Sequence, residues 1–388
     1  MKSALAVVAA CALAACGPAA HESPGASAPE RVGASVSGPS GAVHGPPAPP
    51  LPSAAPPATL ESAQVQRGAE IYGRMCAVCH GASGEGYKAD QAPAIGRGEF
   101  LASVTDEFLR VAIVDGRKGS TMSAWGKIRG GPLDPEQVDA LIAFLRGWQK
   151  GPALSLDESP LRGHAGVGLK IFEVHCARCH GADGKAATAV RIGNPDWLVH
   201  ASNGLLRHAI RGGRPGTQME AFGEKLGDQG VEDVVAYVRG LLVPPPPPPP
   251  SNHPAPLPLG KVPLNAGGSE PKGFQPHPAT TSADVIHAEL VRGAKMALLD
   301  ARAPTDYVNE HIAGAVSVPF YDPSPYLEKL PKHAWLVSYC ACPHAESGDL
   351  AAKLMAAGFT KVTVLNEGLG YWKNKGYKTQ TGATQGTP

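Results

Sequence analysis

The sequence CAVCH at Cys76–His80 is repeated one hundred residues later as CARCH at Cys176–His180, and the domain organisation follows from this repeat. In each copy, two cysteines stand three positions apart, so one helical turn brings both sulfurs to the same side. The residue that follows is a histidine, a common metal ligand. A structural zinc site would need a second pair of ligands close by, and the stretches after both copies offer none. A thioredoxin-like site would lie within a βαβ pattern, which is absent around both copies.

The spacing C-x-x-C-H is the attachment signature of haem c. We therefore predict two covalently bound c haems, each held by two thioethers and by a histidine as proximal ligand of the iron. The attachment residues are Cys76, Cys79 and His80 in the first copy and Cys176, Cys179 and His180 in the second.

The N-terminus has the features of an export signal over residues 1–16. Lys2 precedes an apolar run too short to cross a bilayer. The run ends in LAACG at Leu13–Gly17, which resembles the lipobox of bacterial lipoproteins. This resemblance implies lipidation of Cys16 and a location at the periplasmic face of a bacterial membrane. The alternative is an ordinary signal peptide that happens to contain a cysteine.

Composition indicates ordered modules joined by linkers. The 47 glycines and 39 prolines exceed a fifth of the 388 residues, but the prolines cluster in two tracts. A formal net charge of +1 gives no electrostatic reason to expect a nucleic-acid partner. The expected order after the signal is a disordered tether over 17–60, a domain over 61–150, a second over 157–243, a polyproline linker over 244–278 and a C-terminal domain over 279–382.

The first two domains are predicted to be copies of one mainly helical fold. The closing helix of each carries an apolar stripe at i, i+3, i+4 and i+7. The stripe residues are Val138, Leu141, Ile142 and Leu145 in the first domain and Val231, Val234, Val235 and Val238 in the second. Asp134 and Pro135 supply start signals for the first of these helices. Similar segments also precede both CxxCH motifs, which identifies an internal repeat.

Both domains resemble class I cytochromes c, which implies a methionine as the distal iron ligand. Each contains one methionine in a glycine-rich loop before the closing helix, Met122 or Met219. The family loop typically reads Met-Pro-x-Trp, and Ser123 and Glu220 replace that proline here. Competing distal ligands exist in the second domain alone, namely His200 and His208.

The C-terminal domain is predicted to be a small α/β domain with a parallel sheet. Short apolar segments alternate with helix-like segments in this region. The predicted strands are 296–299, 316–318, 335–339 and 361–365, and the predicted helices are 283–291 and 348–357.

This domain resembles rhodaneses through Leu299–Arg302, Glu310–Ala315 and the ending Glu367–Trp372. The resemblance implies a cysteine that carries sulfane sulfur as a persulfide at a strand-to-helix turn, and the strand before Cys340 favours that residue. Cys342 fits the spacing about as well, and is otherwise a candidate resolving thiol. The loop contains no arginine, so an inactive, purely structural domain is the alternative.

The sequence thus predicts an exported, membrane-anchored protein that transfers electrons through two haems and handles sulfane sulfur. Two functions remain open for the whole chain. It is either an electron carrier whose last domain binds a partner, or an enzyme that oxidises a Cys340 persulfide and passes the electrons to the haems. The expected partners are redox proteins of a respiratory or sulfur-oxidising chain and, for the second function, a sulfane sulfur donor.

Overall fold

The computed structural model describes residues 60–86, 92–185, 189–244, 257, 259–262, 264–341 and 344–388. The predicted signal peptide with Cys16, the tether up to residue 59, most of the proline run and Cys342 lie outside the described residues. Among the residues described, no helix has the length and apolar character needed to cross a membrane.

The first domain consists of short helices around two longer ones. The helices are α1 (Leu60–Met75), α2 (Ala77–His80), α3 (Gly98–Ser103), α4 (Asp106–Asp115) and α5 (Pro135–Arg146), with a 3₁₀ turn at Lys127–Arg129. The side chain of Asp134 accepts a hydrogen bond from the amide of Gln137, and the Gln137 side chain accepts one from the amide of Asp134, which completes a capping box at the start of α5. All four residues of the predicted stripe on α5 are buried.

The second domain repeats this plan. Its helices are α6 (Ala165–His175), α7 (Ala177–His180), α8 (Pro195–Leu198), α9 (Asn203–Gly212) and α10 (Gly223–Gly240), and the α10 stripe is buried too. In both domains a glycine lets the first and last helices touch. A Cβ atom on Gly68 would lie 2.0 Å from the Ala140 carbonyl oxygen, and one on Gly168 would lie 1.8 Å from that of Asp233. The internal repeat predicted from the sequence is therefore a repeat of structure.

The C-terminal domain is a parallel sheet flanked by helices, as predicted. Its strands are β1 (Thr280–Thr281), β2 (Met296–Asp300), β3 (His311–Ile312), β4 (Val316–Ser317), β5 (Trp335–Tyr339), β6 (Val362–Leu365) and β7 (Thr379–Gln380). Its helices are α11 (Ala283–Val291), α12 (Pro304–Asn309), α13 (Ala345–Ala356) and α14 (Gly368–Asn374), with a 3₁₀ turn at Ser324–Lys329. The main sheet has the order β1-β6-β5-β2-β4 with every neighbour parallel. A short antiparallel pair, β3 with β7, was not expected from the sequence.

Part of the proline-rich segment 244–278 packs on the α/β domain instead of acting as a spacer. Leu264 and Phe274 are buried in the core of that domain, and Leu264 pairs with Met296 of β2 in a backbone bridge. The chain end also packs here, since the amide of Gly314 donates to the carbonyl of Gln385 at 2.8 Å. Isolated apolar side chains among prolines carry no periodic signal, so the sequence alone predicts a linker over these residues.

The α/β domain lies against the first domain through an aromatic contact. Trp125 is buried, and its ring centroid lies 6.4 Å from that of Phe320 and 5.6 Å from that of Tyr321. Both pairs meet edge-on, a favoured arrangement of aromatic rings. One apolar cluster therefore runs from the first domain into the α/β domain.

Candidate haem sites and the neighbouring rhodanese-like cysteine

The histidines of the two CxxCH motifs have the same orientation and the same partner type. The Nδ1 atom of His80 lies 3.0 Å from the carbonyl oxygen of Pro93, and Nδ1 of His180 lies 3.0 Å from that of Val190. A carbonyl oxygen only accepts, so Nδ1 carries the proton and Nε2 keeps its lone pair. Burial lowers the pKa of both imidazoles, which favours the neutral form that a metal ligand requires. This is the arrangement in which a second partner orients a metal-binding histidine.

The motif cysteines lie where each pair of helices meets, and none is in a disulfide. Burial raises the pKa of Cys76 to about 12 and that of Cys176 to about 11. A redox-active C-x-x-C has the opposite shift, a lowered thiol pKa. No group of three or more His, Cys, Asp or Glu able to hold a metal ion occurs within the described ranges. The cysteines and histidines fit covalent haem attachment and do not fit thiol redox chemistry.

The methionine loops of the two domains share one hydrogen-bond pattern. The amide of Arg117 donates to the Met122 carbonyl at 2.9 Å, and the Met122 amide donates to the Ser120 hydroxyl at 3.2 Å. In the second domain the amide of Arg214 donates to the Met219 carbonyl at 2.7 Å, and the Met219 amide to the Thr217 hydroxyl at 3.1 Å. Each methionine is half-buried and packs on the apolar core of its own domain.

Gly116 and Gly213 allow these loops to close. They have φ values of 66° and 65°, and a Cβ atom on either would lie 2.5–2.6 Å from the carbonyl oxygen of the loop methionine. Only glycine adopts such a conformation readily, so the same requirement appears in both domains.

The methionine loop of each helical domain contacts the other helical domain. Arg97 donates to the carbonyl of Gly216 at 3.0 Å, and Asn194 donates to the carbonyl of Lys118 at 2.8 Å. The competing distal ligands are placed elsewhere. The Nε2 atom of His208 is paired with the Glu99 carboxylate of the first domain, and His200 is exposed on the surface.

Cys340 lies directly after β5 and before α13, at the strand-to-helix turn expected from the sequence, although α13 begins three residues earlier than predicted. Its side chain has no exposed surface, and its sulfur lies 3.3 Å from the Ser347 hydroxyl. The alternative nucleophile, Cys342, lies outside the described residues.

Of the charged side chains that the structure describes around Cys340, neither Glu346 nor Arg302 offers an unengaged positive charge to an anion. Glu346, in the first turn of α13, is buried, and its pKa is raised well above the usual range by burial and by its proximity to Cys340. Arg302 is already engaged, because its Nε and Nη2 atoms donate to the two carboxylate oxygens of Asp300 at 2.9 and 2.6 Å. The absence of an arginine from the loop could be recognised in the sequence, whereas the burial of Glu346 could not.

Cys340 packs against Cys79 of the first CxxCH motif. This contact could not be predicted from the sequence, because the two residues are more than 250 positions apart and no pattern links them. A second contact lies nearby, where the hydroxyl of Ser123 donates to the carboxylate of Asp306 in α12. The rhodanese-like cysteine therefore lies beside the first candidate haem site.

Comparison with known proteins gives the class of each domain. The family model described as cytochrome c oxidase, cbb3-type, subunit III matches residues 63–145 and 164–238, and the rhodanese-like domain model matches residues 282–375. The chain is 28% identical over 192 residues to the cbb3-type cytochrome c oxidase subunit CcoP of Azospirillum brasilense, covering 45% of this chain and 61% of that protein.

Two further relatives cover different parts of the chain. The cytochrome bc1 complex cytochrome c subunit of Mycobacterium tuberculosis is 28% identical over 200 residues, or 49% of this chain and 68% of that protein. The solution structure of the rhodanese-like domain of the Alr3790 protein from Anabaena sp. is 30% identical and covers 28% of this chain and 83% of its own, with a TM-score of 0.25.

The chain is a fusion of two c-type cytochrome domains with a rhodanese-like domain. The class of the first two domains implies covalently bound haem c. The chain spans about three fifths of the length of the CcoP subunit that it resembles.

Proposed function

We propose that the protein transfers electrons through two haems c, one in each helical domain. The observation that carries this proposal is the repeated pair of a histidine with its Nδ1 held by a carbonyl and a methionine in a closed loop. Bound haem would supply the one-electron chemistry of iron. His80 and His180 would be the proximal ligands, and Met122 and Met219 the distal ones, with the cysteines forming the thioethers.

Mass spectrometry of the denatured mature protein tests the number of haems. The expected mass is that of the mature chain plus two haems, because thioether bonds survive denaturation. A mass corresponding to one haem or to none would refute the proposal.

The proposed setting is a respiratory or sulfur-oxidising chain at the periplasmic face of a bacterial membrane. Relatives of the helical domains are subunits of a cbb3-type oxidase and of a cytochrome bc1 complex, which supports redox proteins of that kind as partners. A lipid on Cys16 would hold the protein at the membrane. We expect Cys16→Ser to release it into the soluble fraction with an unchanged haem spectrum, which fractionation in high salt and absorption spectroscopy measure. A variant that stays in the membrane pellet would refute the anchor.

A second candidate function is the oxidation of sulfur held by Cys340, and the contact between Cys340 and Cys79 favours it. A Cys340 thiolate would attack the outer sulfur of a donor such as thiosulfate, break its S–S bond and release sulfite. The product is a persulfide on Cys340. Because Cys340 is fully buried, the donor can reach it after the contact with the first domain has opened.

The electrons would leave through the first domain. Oxidation of the outer sulfur to a sulfonate takes three oxygens from water and releases six protons and six electrons. Haem held by Cys76, Cys79 and His80 would supply the one-electron acceptor, which a redox partner would reoxidise. The missing arginine and the nearby Glu346 predict slow reaction with a dianion such as thiosulfate.

Thiosulfate-dependent reduction of the oxidised protein separates the two functions. We expect slow reduction of the haems in the wild type, none in Cys340→Ser, and near-normal reduction in Cys342→Ser. Absorption spectroscopy measures the reduction of the haems. Mass spectrometry of the same samples should find the sulfur adduct on Cys340. If no adduct forms and several sulfane donors leave the haems oxidised, the protein is an electron carrier only. An adduct confined to Cys342 would reverse the roles of the two cysteines.

A further inference from the structure

The segment that follows Met122 contacts the α/β domain at three successive residues. The Ser123 hydroxyl donates to the Asp306 carboxylate. The carbonyl of Ala124 accepts a hydrogen bond of 3.3 Å from the hydroxyl of Thr305. Trp125 packs edge-on against the rings of Phe320 and Tyr321. The loop that carries the candidate distal ligand is thus attached to another domain directly after that ligand.

Among the residues that the structure describes, the equivalent segment of the second domain makes no such attachment. Glu220 and Ala221, which correspond to Ser123 and Ala124, are exposed. Phe222 corresponds to Trp125 and is buried, but it packs within its own domain, with its ring centroid 6.2 Å from that of His175. The two loops have the same internal hydrogen bonds, so they differ in their contacts with the α/β domain.

We propose that the α/β domain sets the distal coordination of the first haem, with Asp306 as a positioning residue that acts through Ser123. A buried hydroxyl bonded to a carboxylate fixes the chain direction at the residue after Met122. This residue stands where a proline would otherwise stiffen the loop, so the hydrogen bond to Asp306 supplies from another domain the rigidity that serine lacks. The inference rests on the proposed ligation of haem by Met122 and does not depend on sulfur chemistry at Cys340.

The experiment compares the two axial methionines in one molecule. In the reduced holoprotein, each methionine bound to a diamagnetic iron gives its own strongly shifted methyl resonance. We expect Ser123→Ala and Asp306→Ala each to broaden or abolish the Met122 resonance and to lower the potential of the first haem alone, because a thioether favours ferrous iron. The Met219 resonance in the same sample is the internal reference, because it shows that the second domain is folded and loaded with haem.

Three further variants make the test specific. Glu220→Ala, at the equivalent position of the second domain, should leave both resonances and both potentials unchanged. The double variant Ser123→Ala/Asp306→Ala should behave as either single variant does, because both lose one interaction. Ser123→Pro/Asp306→Ala should keep the Met122 resonance, because proline restores the rigidity directly.

The results that overturn the proposal are equally distinct. Unchanged resonances and potentials in Ser123→Ala would refute it, and this variant decides the matter even if Asp306→Ala does not fold. Equal changes at both haems would indicate a general loss of stability and not a positioning role. Loss of the Met122 resonance in the proline double variant would show that the pair supplies something other than rigidity.

Discussion

The two cytochrome domains share a backbone plan but differ in what surrounds them. Both have a CxxCH histidine bonded to a carbonyl, a glycine under the methionine loop and a glycine between the first and last helices. The first domain packs against the rhodanese-like domain near its CxxCH motif and directly after its methionine. The second domain has an exposed residue, Glu220, in the corresponding position.

An ion pair between corresponding helices, α4 with α5 in the first domain and α9 with α10 in the second, is more buried in the second domain. In the second domain Arg207 is 1% exposed, and its Nε and Nη2 atoms donate to the two carboxylate oxygens of Glu232 at 2.5 and 2.9 Å. The corresponding pair of the first domain, Arg110 with Asp139, has side chains 36% and 46% exposed. The repeat therefore determines which residues pair. The neighbouring domains and segments determine how far each pair is buried and how much it contributes to stability.

Replacing one cysteine of a CxxCH motif should remove haem from that motif alone, which is the largest change that we expect. Cys179→Ala should lower the haem content of the second domain and leave the first loaded, because each site uses its own pair of cysteines. Cys79→Ala should do the converse. Peptide mass spectrometry after proteolysis measures the haem on each motif. Loss of haem from both motifs in either variant would show that the sites are not independent.

The next effect concerns the distal ligands. Met122→Ala and Met219→Ala should each convert one haem to a high-spin or lower-potential form, because the soft thioether that favours ferrous iron is gone. Spectroelectrochemical titration should show one shifted component in each variant and an unshifted one beside it. Titrations identical to the wild type in both variants would place the distal ligands elsewhere.

A smaller effect tests the unequal ion pairs. Arg207→Ala should destabilise the second domain by about 3–5 kcal/mol, because it leaves the Glu232 carboxylate buried without its partner. Arg110→Ala should cost the first domain roughly 0–1 kcal/mol, as for exposed pairs. Hydrogen exchange of the amides in α10 and α5 measures both changes in one chain. Equal losses would mean that burial does not distinguish the pairs.

The pH dependence of the second domain should follow from the same pair. The hydrogen bond from Arg207 lowers the pKa of Glu232 below its ordinary value. A carboxylate with a depressed folded-state pKa contributes stability above its unfolded-state pKa, and this contribution is lost as the pH falls through the folded-state pKa. Acid should therefore lower the protection factors of the α10 amides in the wild type, after correction for the intrinsic exchange rate at each pH, whereas Arg207→Ala should lack this component.

The elements of the fold could be predicted wherever a residue pattern repeats locally. The stripes on α5 and α10, the start of α5 at Asp134 and the strand Trp335–Tyr339 all follow from spacing within one segment. The parallel sheet follows from the alternation of strands and helices. The CxxCH motifs were readable for the same reason, since the attachment chemistry needs one helical turn.

The contacts between domains could not be predicted, because no local pattern records them. Ser123 could be recognised in the sequence as a departure from a proline, but its partner Asp306 lies 183 positions away. Glu346 reads as an ordinary first-turn acid of a helix, and only the fold shows that it is buried beside Cys340. Leu264 and Phe274 stand among prolines, where no periodic pattern marks them as core residues of the α/β domain.

The complete burial of Cys340 makes its thiol a natural reporter of domain separation. Cys79 of the first cytochrome domain packs on this residue, so we expect an alkylating reagent to reach the sulfur faster when the two domains are apart. When closing is fast compared with alkylation, the labelling rate gives the population of the open form, and at high reagent concentration it gives the opening rate itself. Measured in a Cys342→Ser background at different haem oxidation states, labelling would show whether electron occupancy changes how often the two domains part.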